Sequence, residues 1–187
     1  MGTKLLKNMN LLFLVLISLL PNNTPGTSKI DKVIKYLEAT KETAEHAIFI
    51  DMSVPSNEKR LFLVQLDNKN VIYSTYVAHG KGSGRGSKAT FFSDDPGSNC
   101  TALGLYKVGK NYTGKHGDSF ELIGLEKSNA NALKRAIVIH SAWYANEDFI
   151  IKQGRCGNSW GCPAVSEEAF KKLRPYFLKK IIVYIYT

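Results

Sequence analysis

At 187 residues with 44% apolar content, the chain is long enough to bury one sizeable core and too short for two comfortable domains. The formal net charge is +9, and +7 remains once Lys4 and Lys7 of the amino-terminal segment are set aside, a balance that favours polyanions. No stripe of Lys and Arg interleaved with stacking aromatics occurs, so nucleic acid is not the expected partner and an anionic wall or membrane surface is; a dispersed excess of this kind also serves as a plain solvated face.

Met1 to Asn10 carries two Lys and no acid, and residues 11–20 are almost wholly apolar, the pattern of an export signal. An apolar run of this length falls short of the roughly twenty residues that span a bilayer, so no stable membrane span is expected after processing. No Cys closes the run, which disfavours a lipoprotein anchor. The small residues around Thr24-Pro25-Gly26 place the end of the signal near residue 26. Ser28 is positioned to cap a helix whose apolar residues Ile30, Val33, Ile34 and Leu37 recur at helical spacing, continuing to about Ala44 and packing on the outside of the domain.

The period then changes. Residues 47–51, 60–66 and 71–78 read as strands rich in β-branched and aromatic side chains, and Asp67 to Asn70 is turn material between the last two, giving a hairpin. Residues 79–99 read as loop, with Gly80, Gly82, Gly84, Gly86 and Gly97 among Ser, Lys and Asp. No Gly-Lys-Ser/Thr leads from this loop into a helix, so a nucleotide phosphate site is not expected. Further strands are predicted at 102–108, 119–123, 136–140 and 181–186, with short helices near 128–135, 144–152 and 166–174. The reading is mainly β with peripheral helices, an α+β class, with residues 27–46 as an amino-terminal helical segment ahead of the main domain at 47–187.

Three cysteines, Cys100, Cys156 and Cys162, cannot all pair within one chain, so an exported form keeps at least one free thiol. A Cys100–Cys156 bridge is conceivable, and a Cys156–Cys162 bridge would block the latter. Cys162 ends the turn Ser159-Trp160-Gly161-Cys162 and lies downstream of His140, which closes the apolar run Ala136-Ile137-Val138-Ile139. A thiol is a poor nucleophile until deprotonated, and an imidazole beside it both takes the proton and returns it to a leaving group. Gly161 has no Cβ to block approach, so the amides of Gly161 and Cys162 are candidates to meet a developing oxyanion. The plainer reading is that Cys162 is a small buried apolar residue or half of a disulfide. The histidines raise zinc as an option, but no close ligand pair such as Cys-x2-Cys or His-x3-His is present, and no metal or other cofactor is expected.

Taken in order, Val77-Ala78-His79-Gly80, Leu103-Gly104-Leu105-Tyr106, Tyr112-Thr113-Gly114-Lys115-His116-Gly117, Ile137-Val138-Ile139-His140 and Gly154-Arg155-Cys156-Gly157-Asn158-Ser159-Trp160-Gly161-Cys162-Pro163-Ala164-Val165 closely resemble the murein L,D-transpeptidase catalytic domain of the YkuD-like superfamily, in the branch whose turn reads Ser-Trp-Gly-Cys-Pro-Ala. The resemblance covers roughly residues 30–187. It implies a small β-sandwich or partly closed barrel with an active-site cleft, and a cysteine acyltransferase of the cell envelope or periplasm acting on peptidoglycan stem peptides. In that family the thiolate attacks the carbonyl of the third stem residue and expels a terminal D-alanine. The acyl group then passes to an amine of another stem, giving a 3-3 crosslink, or to water.

Carried over by position, Cys162 matches the nucleophile, His140 the base, and Ser159 and Gly161 the catalytic turn; Arg155, His79, Trp160 and Asn158 are the expected substrate-binding residues. Arg155 suits a bidentate hold on a substrate carboxylate or, equally, a loop tether. His79 suits either substrate contact or a structural hydrogen bond, and His116 a structural or substrate-side role. Asn158 stands where a basic residue is expected and Cys156 where an apolar one is common, which weakens the case for carboxylate binding there. The alternatives are an L,D-carboxypeptidase of the same fold and a non-catalytic wall-binding module with Cys162 buried.

Overall fold

The computed structural model describes residues 24–115 and 117–187; the expected export signal as far as residue 23, and His116, lie outside them. In chain order come helix α1 (Thr27–Thr40), strands β1 (His46–Asp51), β2 (Leu61–Gln65), β3 (Asn70–Thr75), β4 (His79–Gly80), β5 (Gly104–Gly114), β6 (Gly117–Gly124) and β7 (Val138–Ser141), helix α2 (Glu147–Gln153), strands β8 (Asn158–Ser159) and β9 (Ala164–Val165), helix α3 (Glu167–Phe177) and strand β10 (Ile182–Tyr186). Two 3-10 turns, at Lys127–Asn129 and Trp143–Ala145, complete the described elements.

Eight of the strands form one sheet in the order β3-β2-β1-β10-β5-β6-β7-β9. The unbroken apolar runs of β1 and β10 make sense from their place: they pair in parallel in mid-sheet and are buried on both faces, so neither strand can alternate with polar residues. One face carries Ile48, Ile50, Leu61, Leu63, Tyr106, Val108, Phe120, Leu122, Ile137, Ile139, Val165, Val183 and Ile185, and α3 closes over them with Ala169, Phe170, Leu173 and Phe177. Because β2, one strand in from one end of the sheet, and β9, at the other end, feed this one core, the sheet curls around it. The other face of β1, β2, β5 and β10 presents Ala47, Phe49, Phe62, Val64, Leu105, Ile182 and Tyr184 to Ile30, Val33 and Leu37 of α1. Successive residues of a strand point to opposite faces, so a single run such as 182–186 feeds both cores.

The structure is mainly β with three α-helices among the described residues, as composition and periodicity predict. Several boundaries differ. Ser28 lies inside α1, whose N-cap is Gly26 with no side-chain cap, and the helix stops at Thr40 because Lys41 turns into the left-handed region (φ 57°) and caps it with its own N–H. The strand expected at 71–78 ends at Thr75, and the helix expected at 128–135 is only a 3-10 turn followed by irregular turns. Helix α3 runs through Pro175 to Phe177, two residues past the proline, where the missing N–H falls in the last turn and few helical bonds are lost. No helix among the described residues is long and apolar enough to cross a membrane.

What positions the site is a set of short pairings that no periodicity announces. β7 pairs in parallel with β9, His140 opposite Ala164, while β4 pairs in parallel with β8, His79 opposite Asn158 and Gly80 opposite Ser159. Ala78 bridges to Ala164 as well. The turn 159–162 is therefore held on one flank by β4 and on the other by β7.

Candidate active site

Cys162 sits two residues before Ala164, the register partner of His140, an offset of roughly 8 Å between the Cα atoms of Cys162 and His140 by strand rise and spacing. Its Sγ accepts from the Val138 N–H at 3.4 Å, and its S–H faces the Ala136 carbonyl at 3.8 Å. Burial pushes the thiol's pKa up, opposed by the Val138 N–H, the Arg135 guanidinium and the Cys162 amide itself. Since burial prevails, the group rests as a thiol among these neighbours and needs a base to become a nucleophile.

His140 is buried at the end of β7, and its Nδ1 lies 2.9 Å from the Ser141 carbonyl. A carbonyl only accepts, so Nδ1 carries a proton, and in the neutral form of the ring the lone pair is at Nε2. The tautomer is thus set by a main-chain carbonyl. Ser159, the other group suited to that task, does something else: its Oγ donates to the Cys162 carbonyl at 2.6 Å and accepts from the Gly161 N–H at 3.2 Å, stapling the turn.

That staple corrects part of the oxyanion expectation. The Gly161 amide is engaged by Ser159, which leaves the Cys162 amide, lying against its own sulfur, as the remaining donor of the expected pair. Gly161 is needed for its backbone instead. Its φ is +120°, and an added Cβ would lie 2.7 Å from the Cys100 carbonyl oxygen and 3.0 Å from Arg135 Nη2. Gly80 is constrained from the facing side, where a Cβ would meet Gly161 Cα at 2.8 Å. Two glycines let β4 and the turn approach each other.

The expected substrate-binding residues divide sharply. His79 is 0% exposed and both ring nitrogens are occupied: Nδ1 accepts from Arg60 Nη2 at 2.9 Å and Nε2 donates to the Gly84 carbonyl at 2.9 Å. Burial, and then the neighbouring Arg60 charge, lower its pKa to about 4, so it is neutral and offers nothing to a ligand. Asn158 Nδ2 donates to the same Gly84 carbonyl at 3.1 Å. Arg155 folds back on its own loop, its Nη1 donating to the Cys156 carbonyl at 2.8 Å and Asn158 Oδ1 at 3.3 Å, which makes it a tether of that loop. These three side chains build the loop. Trp160, by contrast, is 69% exposed, two residues before the thiol in the chain.

Two arginines that organise this region escape any reading of the sequence. Arg60, expected only as the start of a strand, is fully buried and donates to the Val54 and Val77 carbonyls as well as to His79. Arg135 pairs with Asp94 and donates to the Ser93 and Cys100 carbonyls, pinning the 93–100 loop under the turn. A buried arginine surrounded by carbonyls has no local signal, because its partners come from distant loops.

All three cysteines are free thiols, so neither conceivable bridge is formed. Cys100 and Cys156 are buried, whereas Cys162 is partly exposed. Cys156 donates to the Ser56 carbonyl and burial pushes its pKa up to about 11, which leaves it inert near neutral pH. Among the described residues, no group of three His, Cys, Asp or Glu is placed to hold a metal ion. Beside Ser141 a hollow is lined by Lys115, Ala142, Trp143, Tyr144, Asn146 and Glu167. The Tyr144 phenol is pushed up to about 12 by burial and by the nearby Cys162 and Cys156, so it stays a donor at neutral pH.

A family model described as the L,D-transpeptidase catalytic domain matches residues 23–186. No curated protein matches the chain significantly. Similar solved structures include an L,D-transpeptidase from Mycobacterium smegmatis, 11% identical with a TM-score of 0.44, covering 77% of this chain and 59% of that one. An L,D-transpeptidase from Stackebrandtia nassauensis is 13% identical with a TM-score of 0.46, covering 85% of this chain and 65% of its own. The helical cell shape determining protein Pgp2 from Campylobacter jejuni is 13% identical with a TM-score of 0.45, covering 75% and 46% respectively. The chain thus spans less than two thirds of the length of these proteins.

Proposed function

Because the chain belongs to the L,D-transpeptidase catalytic domain family, we propose that it is an exported cysteine acyltransferase of the cell envelope that joins peptidoglycan stem peptides through a Cys162 thioester. The observation that carries this reading is the β7–β9 register, which brings the one partly exposed thiol within about 8 Å, Cα to Cα, of a histidine whose Nδ1 faces a carbonyl.

His140 Nε2 takes the Cys162 proton, and the thiolate attacks the carbonyl carbon of the third stem residue. The negative charge that develops on the carbonyl oxygen is met by the Cys162 amide. Collapse of the tetrahedral intermediate breaks the peptide bond, His140 returns its proton to the departing amine of the terminal D-alanine, and the thioester remains. The amine of a second stem then attacks the thioester. His140 accepts the amine proton, the new amide forms and the sulfur leaves, to be reprotonated by His140. Water in place of the amine gives the carboxypeptidase outcome with the same residues.

The test is intact-mass measurement of the protein incubated with a carbapenem, whose strained lactam acylates a competent thiol without an acceptor. A single adduct is expected, absent in Cys162→Ala and slowed at least a hundredfold in His140→Ala. No adduct on reduced, folded protein would overturn the acyltransferase in favour of a wall-binding module. Supplying donor and acceptor stems together then distinguishes joined from trimmed products.

A further inference from the structure

Two ammonium groups share one exposed indole in the turn that carries the thiol. Lys81 Nζ lies 5.0 Å and Lys115 Nζ 5.8 Å from the centre of the Trp160 ring, and Trp160 is two residues from Cys162, no more than about 7 Å along the chain. The lysines reach it from separate parts of the sequence. Lys81 is held by its backbone: its N–H donates to the Ser159 carbonyl at 2.8 Å, directly after the two-residue pairing of β4 with β8. Lys115 comes from the tip of the β5–β6 hairpin and also lines the hollow that contains Ser141 and Tyr144.

Like charges brought to one ring repel, and cation–π attraction at an exposed indole returns only about 0.5–1 kcal/mol. Lys32, Lys69, Lys107 and Lys172 each pair with a carboxylate, Glu126, Asp31, Glu42 and Glu168 in turn, whereas most of the described lysines form no ion pair. Among the described residues no carboxylate forms an ion pair with Lys81 or Lys115. A pair of cations over an exposed indole, in the turn that carries the nucleophile, is suited to an anion that arrives with the substrate.

Resting on the acyltransferase reading, we infer that Lys81, Lys115 and Trp160 form a subsite for the free carboxylate of the residue the thiol expels. That carboxylate is separated from the scissile carbonyl carbon by one residue's N and Cα, roughly 4 Å, so it must lie close to the sulfur when the carbonyl does. The floor of the subsite is the indole and its walls are the two lysines. The acyl donor is thereby restricted to stems with an unblocked carboxyl end, and the charge is released together with the leaving residue.

Binding is measured without chemistry, on the Cys162→Ala protein, by calorimetric titration with two forms of one stem tetrapeptide: the free acid and the C-terminal amide. All other carboxylates are common to both, so the comparison isolates the terminal one. The acid is expected to bind at least tenfold more tightly than the amide. Adding Lys81→Gln and Lys115→Gln together should reduce that preference to twofold or less, while Lys81→Arg with Lys115→Arg should keep it, all with unchanged melting temperature. Equal binding of acid and amide, no measurable binding of the acid, or a preference that survives the double Gln variant overturns the inference. The carbapenem adduct on the intact thiol is scored separately, so its absence counts against the acyltransferase while the acid-against-amide comparison judges the subsite.

Discussion

At the scale of single residues, the turn 159–162 is a small mechanical device. Ser159 ties the Cys162 carbonyl and the Gly161 amide with one hydroxyl, and Gly161 takes a backbone angle that other residues rarely adopt. Ser159→Ala removes both hydrogen bonds and should lower stability by about 1–2 kcal/mol in urea unfolding, with slower carbapenem acylation because the sulfur is less firmly placed. Gly161→Ala should be harsher, about 3 kcal/mol or more, since it combines backbone strain with a clash against the Cys100 carbonyl. A Gly161→Ala protein of unchanged stability and acylation rate would refute the tight approach described for β4 and the turn. The buried imidazole of His79 makes a different prediction. Its pKa is lowered from the ordinary 6.5 to about 4, so between these values the unfolded chain binds more protons than the folded one, and stability rises with pH. The contribution is present above pH 6.5 and is lost as pH falls toward 4. Going from pH 7 to pH 5 should remove about 2 kcal/mol, and His79→Gln, though less stable at pH 7, should show a smaller loss over the same interval.

At the scale of elements, the two faces of the sheet have separate duties. Helix α1 covers the face away from Cys162, where Val33 is fully buried against the sheet. Val33→Ala should therefore lower the unfolding free energy by about 2 kcal/mol while leaving the acylation rate constant of the folded protein unchanged; a matching fall in that rate constant would mean the two faces are coupled. Elements with long apolar runs, such as β1, β2 and β10, are legible in the sequence because burial on one or both faces leaves a periodic or continuous signature in the chain itself. The two-residue strands β4, β8 and β9 are not, because nothing in a dipeptide announces a partner distant in the chain. The same limit governs the site. Cys162 and His140 stand out as a motif, whereas Arg155, His79 and Asn158, expected at the substrate, are joined to one another and to Gly84. Polar residues near a nucleophile in sequence look alike whether they face the ligand or hold the loop, and only burial separates them.

At the scale of the whole molecule, the sheet cannot exist without the last strand. β10 lies between β1, which it joins in parallel, and β5, which it joins antiparallel, so it welds β3-β2-β1 to β5-β6-β7-β9. It also feeds both cores, Val183 and Ile185 to one, Ile182, Tyr184 and Tyr186 to the other. A chain ending at Lys180 would leave two unpaired strand edges and two drained cores, and it should bind a hydrophobic dye and show no cooperative thermal transition. The same arrangement sets the pace of folding. Ala47 pairs with Ile182 and Asp51 with Tyr186, so the central ladder of the sheet forms only after nearly the entire chain has been brought together. Loop closure over such a separation must precede the contacts that reward it, which places refolding in the millisecond-to-second range of sheet proteins with non-local pairing. Stopped-flow refolding of the intact chain checks this directly: a microsecond phase carrying the full signal change would be incompatible with a sheet whose middle is sewn from its two ends, and loss of all refolding amplitude in the chain ending at Lys180 would identify β10 as the seam.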